Sequence, residues 1–284
     1  MDEIIEGLAE AVAGFYNGYF DGLTGIADLA KMTPQEFNAD LWNAVSTTSP
    51  IGKAIVAMAS ILVSLFLCIE LIGLFNRSDV KGLDGMYWIV MTFLKMMLAL
   101  TLCRNMTVII GACFQISSDI ITNMGDLFSE QPPSSSVSAA IENALKDNGN
   151  LWDLLAYWLL AFLGWGVNNI SVALVQVICT LRFIEIYVFT AVSALAFATF
   201  VSKQFNSIGI RHLKRLIALG LQGVFIVIIC YMYMVLINSA FPADMVVAKE
   251  EIVGKMFELV GYSLLLIIAC FQTGGWAKSL LEVN

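Results

Sequence analysis

The chain has 284 residues, of which 59% are hydrophobic and only 13% are charged, and its formal net charge is −8. A soluble domain carries about 25% charged residues, so this composition excludes an ordinary soluble fold and is typical of a polytopic membrane protein. Apart from one turn near residues 203–215 there is no basic tract, so no footprint for nucleic-acid binding is present and we expect no sequence-specific contact with nucleic acid.

Cysteine and histidine usage argues against a chemical centre. The six cysteines lie almost entirely in apolar segments and form no C-x-x-C pair, so we interpret them as small buried apolar residues and not as disulfide or zinc ligands. The chain has one histidine, His212, and neither an H-E-x-x-H nor a G-x-S-x-G motif. We therefore expect no catalytic, cofactor-binding or metal site, and no enzymatic activity.

Residues 1–50 predict amphipathic helices that precede the first membrane span. Gly14, Gly18 and Gly22 recur at four-residue spacing, which places small residues on one helix face where a second helix can approach closely. The acidic residues of this segment argue against a full span. The contact made by the glycines is either within one chain or with a neighbouring subunit. The segment Thr33-Pro34-Gln35-Glu36 predicts a helix start with a capping box.

A hairpin of two spans follows, over residues 51–75 and 86–103, and residues 105–128 extend its second helix. Glu70 and Lys95 lie inside these apolar segments, about one helical turn off level with each other if the turn centres near residue 80. Charges within a membrane need a partner and mark candidate functional sites, so a Glu70–Lys95 ion pair is within reach.

Residues 129–150, with two consecutive prolines and a serine run, predict a loop. Residues 151–200 are too long for one span and carry Gly164, Gly166, Asn168 and Asn169 near the middle. The stretch is therefore either a tight two-span hairpin or an interfacial helix followed by one tilted span. The predicted organisation has four parts: 1–50 amphipathic, 51–128 hairpin and extension, 129–150 loop, and 151–284 C-terminal bundle with further spans at 216–241 and 256–271.

The stretch 180–223 is the most informative part of the sequence. Arg182 and Glu185, at i and i+3 within an apolar segment, can pair on one helix face. A row of small residues follows, which favours close helix packing: Ala194, Ala198 and Ser202. Four cations lie between two apolar spans and predict a cytoplasmic turn, because such clusters stay inside the cell: Lys203, Arg211, Lys214 and Arg215. Counting basic residues favours six spans with both termini inside, whereas five spans place the N-terminus outside.

The order of features in LRFIEIY, the small-residue helix, the basic turn and LKRLIALGLQG resembles the TrbL-like conjugal transfer proteins, which are polytopic inner-membrane subunits of type IV secretion systems. The chain is similar to the short form found in Gram-positive integrative conjugative elements. The resemblance implies an outward N-terminus, an outer-face loop, an inward C-terminus and a homo-oligomeric ring around a passage for a DNA–protein substrate. It also implies contact with membrane lipid and with other conjugation subunits, including ATPases, and it favours five spans.

The sequence therefore predicts an all-α polytopic transmembrane bundle of five spans, or six, in the cell membrane. Its leading functional interpretation is a non-enzymatic channel or scaffold subunit of a conjugation machine. The alternative is a small-molecule or ion transporter that uses Glu70 and Lys95. Transporters are often built from two similar halves, and no convincing repeat is visible here.

Overall fold

The computed structural model describes residues 7, 11, 14, 22–76, 83–129, 151–240 and 252–282. Within these residues the chain consists of helices and turns, without a strand, so the predicted all-α class is confirmed. Residues 22–31 are helical. The named helices follow in order: α1 Pro34–Phe37, α2 Ala39–Val45, α3 Pro50–Phe75, α4 Leu83–Arg104, α5 Met106–Ser129, α6 Leu151–Ala198, a 3-10 turn Thr199–Val201, α7 Asn206–Ala240 and α8 Ile252–Leu280.

The start of α1 has the predicted capping box. The Thr33 hydroxyl accepts from the Glu36 N–H at 3.3 Å, and the Glu36 carboxylate accepts from the Thr33 N–H at 2.8 Å. Pro34 occupies the first helical turn, where its missing N–H costs nothing. These short-range contacts fix where the helix begins, which is why the sequence alone was sufficient to place it.

Helices α4 and α5 are separated by a single residue, Asn105. The Asn105 N–H donates to the Thr101 carbonyl at 3.0 Å, and the Ile109 N–H donates to the Asn105 carbonyl at 3.1 Å. Both follow the i to i−4 pattern of an α-helix, so the chain does not reverse here and residues 105–128 continue the second helix as predicted. One helical face stays buried across this junction: Ala99, Cys103, Met106, Ile110 and Phe114.

Helix α6 is continuous over 48 residues, Leu151–Ala198. The alternative of a tight two-span hairpin is therefore wrong. The polar residues that suggested an interruption are satisfied inside the helix or by a neighbour: Asn169 Nδ2 donates to the Trp165 carbonyl at 2.9 Å, and the buried Asn168 side chain accepts from the Ser263 hydroxyl at 2.6 Å. At about 72 Å, the helix is far longer than a bilayer core requires.

The chain forms two compact units, and the first comprises Met1–Lys31, Asp119–Thr180 and Gln222–Gly275. Its core is apolar and includes parts of residues 22–31, α6, α7 and α8: Leu23, Ile26, Val175, Cys179, Ile226, Cys230, Leu266 and Cys270. Within this core the Ser263 hydroxyl, which donates to Asn168, lies 3.3 Å from the Tyr233 hydroxyl. Buried polar groups are stable only when they are paired, and this network supplies the partners.

The second unit comprises Met32–Ser118, Leu181–Leu221 and Trp276–Asn284. Its largest fully buried side chains include Phe183, Phe197 and Met106. The short helix α1 packs against α6, since the Phe37 and Phe183 rings stack with their centroids 4.2 Å apart. The Tyr187 hydroxyl donates to the Pro34 carbonyl at 2.6 Å.

Candidate functional site at the basic turn

The basic turn, residues 199–215, joins α6 to α7 through a buried threonine. The Thr199 hydroxyl donates to the Ala196 carbonyl at 2.7 Å and accepts from the Gly209 N–H at 3.0 Å. A Cβ at Gly209 would lie only 2.8 Å from the Ala196 carbonyl oxygen and 2.8 Å from the Phe200 ring. The two helices therefore meet at a distance that only glycine allows at this position.

A second cross-helix contact joins Ser193 of α6 to His212 of α7. Their Oγ and Nε2 atoms are 2.8 Å apart, and the Ser193 hydroxyl also lies 2.7 Å from the Phe189 carbonyl, to which it donates. Because the Ser193 hydroxyl donates its only proton to the Phe189 carbonyl, it accepts a hydrogen bond from an imidazole N–H of His212. The pair therefore holds α6 against α7 and does not have the arrangement of a nucleophile and its base. The rings of Phe189 and Phe197 meet the imidazole edge-on, at 5.9 Å and 6.2 Å.

Glu70 contacts the turn and not Lys95. The Glu70 carboxylate accepts a hydrogen bond from the Lys203 backbone N–H, and within the described residues no ion pair joins Glu70 to Lys95. The expected pairing is thus replaced by a contact that holds the end of α3 against the basic turn. The Phe66 and Phe205 rings, 5.4 Å apart, add an apolar contact at the same place.

The four cations differ in their surroundings. Lys203 is exposed, with its Nζ 5.0 Å from the centre of the Trp88 ring. Arg211 is exposed, whereas Lys214 is half-buried. Arg215 is half-buried with its guanidinium 4.1 Å from the centre of the Phe189 ring, a distance typical of a cation–π contact. Arg211, Lys214 and Arg215 were predicted to lie in a turn, whereas the structure includes them in the first turns of α7.

The small residues before the turn are used for packing within the chain. Ala194 and Ala198 have no exposed surface, and Ser202 is 1% exposed. The Cys103 thiol donates to the Ala194 carbonyl at 3.2 Å, so α4 approaches the backbone of α6 closely. This row of small residues therefore contributes to contact between helices of one chain.

Arg182 and Glu185 do not pair with each other in the described part of the chain. Arg182 is buried, with its guanidinium 5.0 Å from the centre of the adjacent Phe183 ring. Glu185 is half-buried. Because the arginine makes its contacts elsewhere, the spacing of i and i+3 did not produce the expected ion pair.

The N-terminal glycines divide into two groups. A Cβ at Gly22 would meet the Val172 side chain at 2.9 Å, whereas Gly7, Gly14 and Gly25 have nothing within 4 Å of that position. Gly18, the middle one of the three glycines at four-residue spacing, lies outside the described residues. Close packing within the chain is therefore shown at Gly22, and Gly14 faces open space.

Two further features were not visible in the sequence. A cavity of about 380 Å³ is lined by α1, α2 and α5, among them Pro34, Trp42 and Gly111. In the first unit, the Cys230 and Cys270 side chains are both fully buried in the apolar core. Among the described residues no group of three or more His, Cys, Asp or Glu side chains could hold a metal ion.

In the part of the chain that the structure describes, six helices are long and apolar enough to cross a membrane: 39–75, 86–104, 106–124, 158–201, 206–240 and 253–280. Large apolar side chains are exposed along them, for example Ile61 at 69%, Met97 at 67% and Phe271 at 63%. Such surfaces suit lipid and not water. The fold and the turn together define a multi-pass helical membrane protein.

A family model described as TrbL/VirB6 plasmid conjugal transfer like protein matches residues 21–194. This is more than half of the chain, and the chain belongs to that family. The resemblance found in the sequence is confirmed, and the match ends at Ala194, before the basic turn. Neither the curated proteins nor the solved structures include a match to this chain. The protein is thus a membrane component of conjugal transfer, a role that implies contact with other parts of the transfer machinery.

Proposed function

We propose that this chain is a non-enzymatic channel or scaffold subunit of a conjugative type IV secretion system. Copies assemble into a ring in the cell membrane of a Gram-positive host and help to move a DNA–protein substrate through it, together with the ATPases of the machine. Membership of the conjugal transfer family over residues 21–194 is the observation that carries this proposal.

The proposed topology has five crossings. The two candidate spans 86–104 and 106–124 are joined at Asn105 by helical hydrogen bonds, so they count as one crossing with an extension. The continuous α6 is likewise a single crossing. With the basic turn in the cytoplasm, where clustered cations are retained, an odd number of crossings puts the N-terminus outside and the C-terminus inside.

Support for assembly comes from the glycines of the N-terminal segment. Gly7, Gly14 and Gly25 are exposed and have open space at the Cβ position. Small residues let helix backbones approach one another closely. Within the described chain, no other helix packs against these three glycines at the Cβ position. A neighbouring copy would supply one.

A pair of glycine substitutions tests the assembly. We expect Gly14→Leu to leave the unfolding temperature unchanged but to reduce the oligomer mass measured in detergent and the transfer frequency of a complemented deletion strain. Gly22→Leu would instead overlap Val172 and lower the unfolding temperature. The assembly proposal fails if Gly14→Leu retains the native oligomer.

The role in transfer has its own test. A deletion strain should lose conjugative transfer and recover it on expression of the intact chain, with DNA crosslinked to the protein during transfer. Transfer at the normal rate in the deletion strain would refute the proposal whatever the oligomeric state. Single cysteines placed at Lys203 and at the exposed Lys31 of a cysteine-free variant test the topology, because only the latter should react with an impermeant thiol reagent added to intact cells.

A further inference from the structure

The cations of the basic turn have no counter-charge in the described chain. Among the described residues, no carboxylate lies within ion-pairing distance of Lys203, Arg211, Lys214 or Arg215. Glu70, which contacts the turn, accepts its hydrogen bond from the Lys203 backbone N–H. Arg211, Lys214 and Arg215 are spaced i, i+3 and i+4 on α7, so they share one helix face and repel one another. An external anion would relieve that repulsion.

Aromatic and aliphatic side chains are exposed beside these cations. Trp88 is 43% exposed and lies against the Lys203 ammonium, while the Tyr87 ring, 59% exposed, meets Trp88 edge-on at 5.8 Å. Ile208 and Ile210 are exposed as well, at 51% and 45%. Tryptophan and tyrosine concentrate at the boundary between lipid and water, and exposed isoleucines at the start of α7 add an apolar surface.

We propose that this surface, consisting of Tyr87, Trp88, Lys203, Arg211 and Lys214, binds the headgroups of anionic phospholipids. The ammonium and guanidinium groups contact the lipid phosphate, and the two rings lie at headgroup level. Clusters of cations next to a membrane helix attract anionic lipid in this way. A nucleic acid would take the same cations but would leave the isoleucines and rings in water, so lipid is the occupant that the surface fits. This inference does not depend on the role in conjugation.

The test measures lipid retention on the purified protein. The intact chain in a neutral detergent is mixed with equal amounts of phosphatidylglycerol and phosphatidylcholine, and bound lipid is counted by native mass spectrometry. We expect the anionic lipid to be retained preferentially. Each cation near an anionic surface contributes about fivefold to affinity, so the triple variant Lys203→Gln, Arg211→Gln, Lys214→Gln should lose the preference by about a hundredfold.

The matched control removes the same three charges elsewhere, at exposed positions: Lys31→Gln, Lys53→Gln and Arg104→Gln. It should keep the preference of the intact chain, and the single variant Arg211→Gln should lose about fivefold. The proposal is overturned if the two triple variants lose equally, or if the intact chain shows no preference. It is also overturned if a single-stranded oligonucleotide, but not inorganic phosphate, displaces the lipid, because the surface would then be a nucleic-acid site.

Discussion

Replacing Gly209 by alanine tests whether the close approach at the basic turn holds α6 and α7 together. In an open helix the change would be favourable, since alanine exceeds glycine in helix propensity by about 1 kcal/mol. At Gly209 the new methyl group would lie 2.8 Å from the Ala196 carbonyl oxygen and 3.0 Å from the Thr199 hydroxyl. The first of these is a backbone atom, which cannot rotate away.

Overpacking a buried contact costs about 1–3 kcal/mol. Gly209 is only three residues from the start of α7 at Asn206, so the propensity gain there is below its full value. The cost therefore exceeds the gain, and we expect Gly209→Ala to destabilise the protein by about 1–2 kcal/mol. For a chain of this size that corresponds to a fall of a few degrees in unfolding temperature.

The measurement is thermal unfolding of the purified protein in detergent, followed by tryptophan fluorescence. Gly166→Ala is the matched control, because Gly166 lies within α6 and has nothing within 4 Å of a Cβ. It should be neutral or stabilising by up to about 1 kcal/mol. If the two substitutions have equal effects, or if Gly209→Ala is as stable as the unsubstituted protein, the contact between α6 and α7 does not require glycine at position 209.

Substitutions at three further positions, measured in the same assay, test the polar contacts of the turn. Thr199→Val keeps the side-chain shape but leaves the buried Gly209 N–H without its acceptor, and should cost about 1–3 kcal/mol. Ser193→Ala should cost a similar amount, because the partly buried His212 imidazole loses its partner. Glu70→Ala removes the acceptor of a turn N–H and should cost about 1 kcal/mol, whereas Glu70→Gln keeps that acceptor and should be close to neutral.

Thr199→Val and Ser193→Ala each have a control that loses only a local bond. The Thr101 hydroxyl donates to the Met97 carbonyl and the Ser64 hydroxyl to the Ser60 carbonyl, and both side chains are exposed. Thr101→Val and Ser64→Ala should change stability by less than about 0.5 kcal/mol. For Glu70, Lys95→Met is the informative comparison: a loss as large as that of Glu70→Ala would show that the two charges act as a pair after all.

The sequence predicted those features that depend on local signals. The capping box at Thr33 needs only residues three apart, and long apolar runs determine where helices can cross a membrane. The basic turn also lay where a cluster of cations between apolar segments indicated. Helix interruptions were harder to predict, because a buried polar residue such as Asn168 interrupts a helix only if its side chain finds no partner. The partner of Asn168 is Ser263, 95 residues away, and sequence spacing carries no information about that contact.

Charge pairs were predicted less well for a related reason. Helix spacing shows which side chains share a face, as with Arg182 and Glu185, and hairpin geometry gives the level of Glu70 and Lys95. Neither shows which other donors lie nearby. The Glu70 carboxylate is bound instead to the backbone of Lys203, 133 residues further along the chain, and a backbone N–H is invisible to any pattern of residue types.

The anchoring of α1 by Tyr187 has a consequence for the order in which the protein is made. The Tyr187 hydroxyl, which donates to the Pro34 carbonyl, lies 153 residues further along the chain. At synthesis rates of roughly 5–20 residues per second, those partners are separated by about 10–30 s. In the later part of that interval the first hairpin is already made, while Phe37 and the Pro34 carbonyl still lack their partners. Docking of the N-terminal segment is therefore a late event in biogenesis, and a chain that stalls before α6 is complete presents that segment undocked to the cell's quality control.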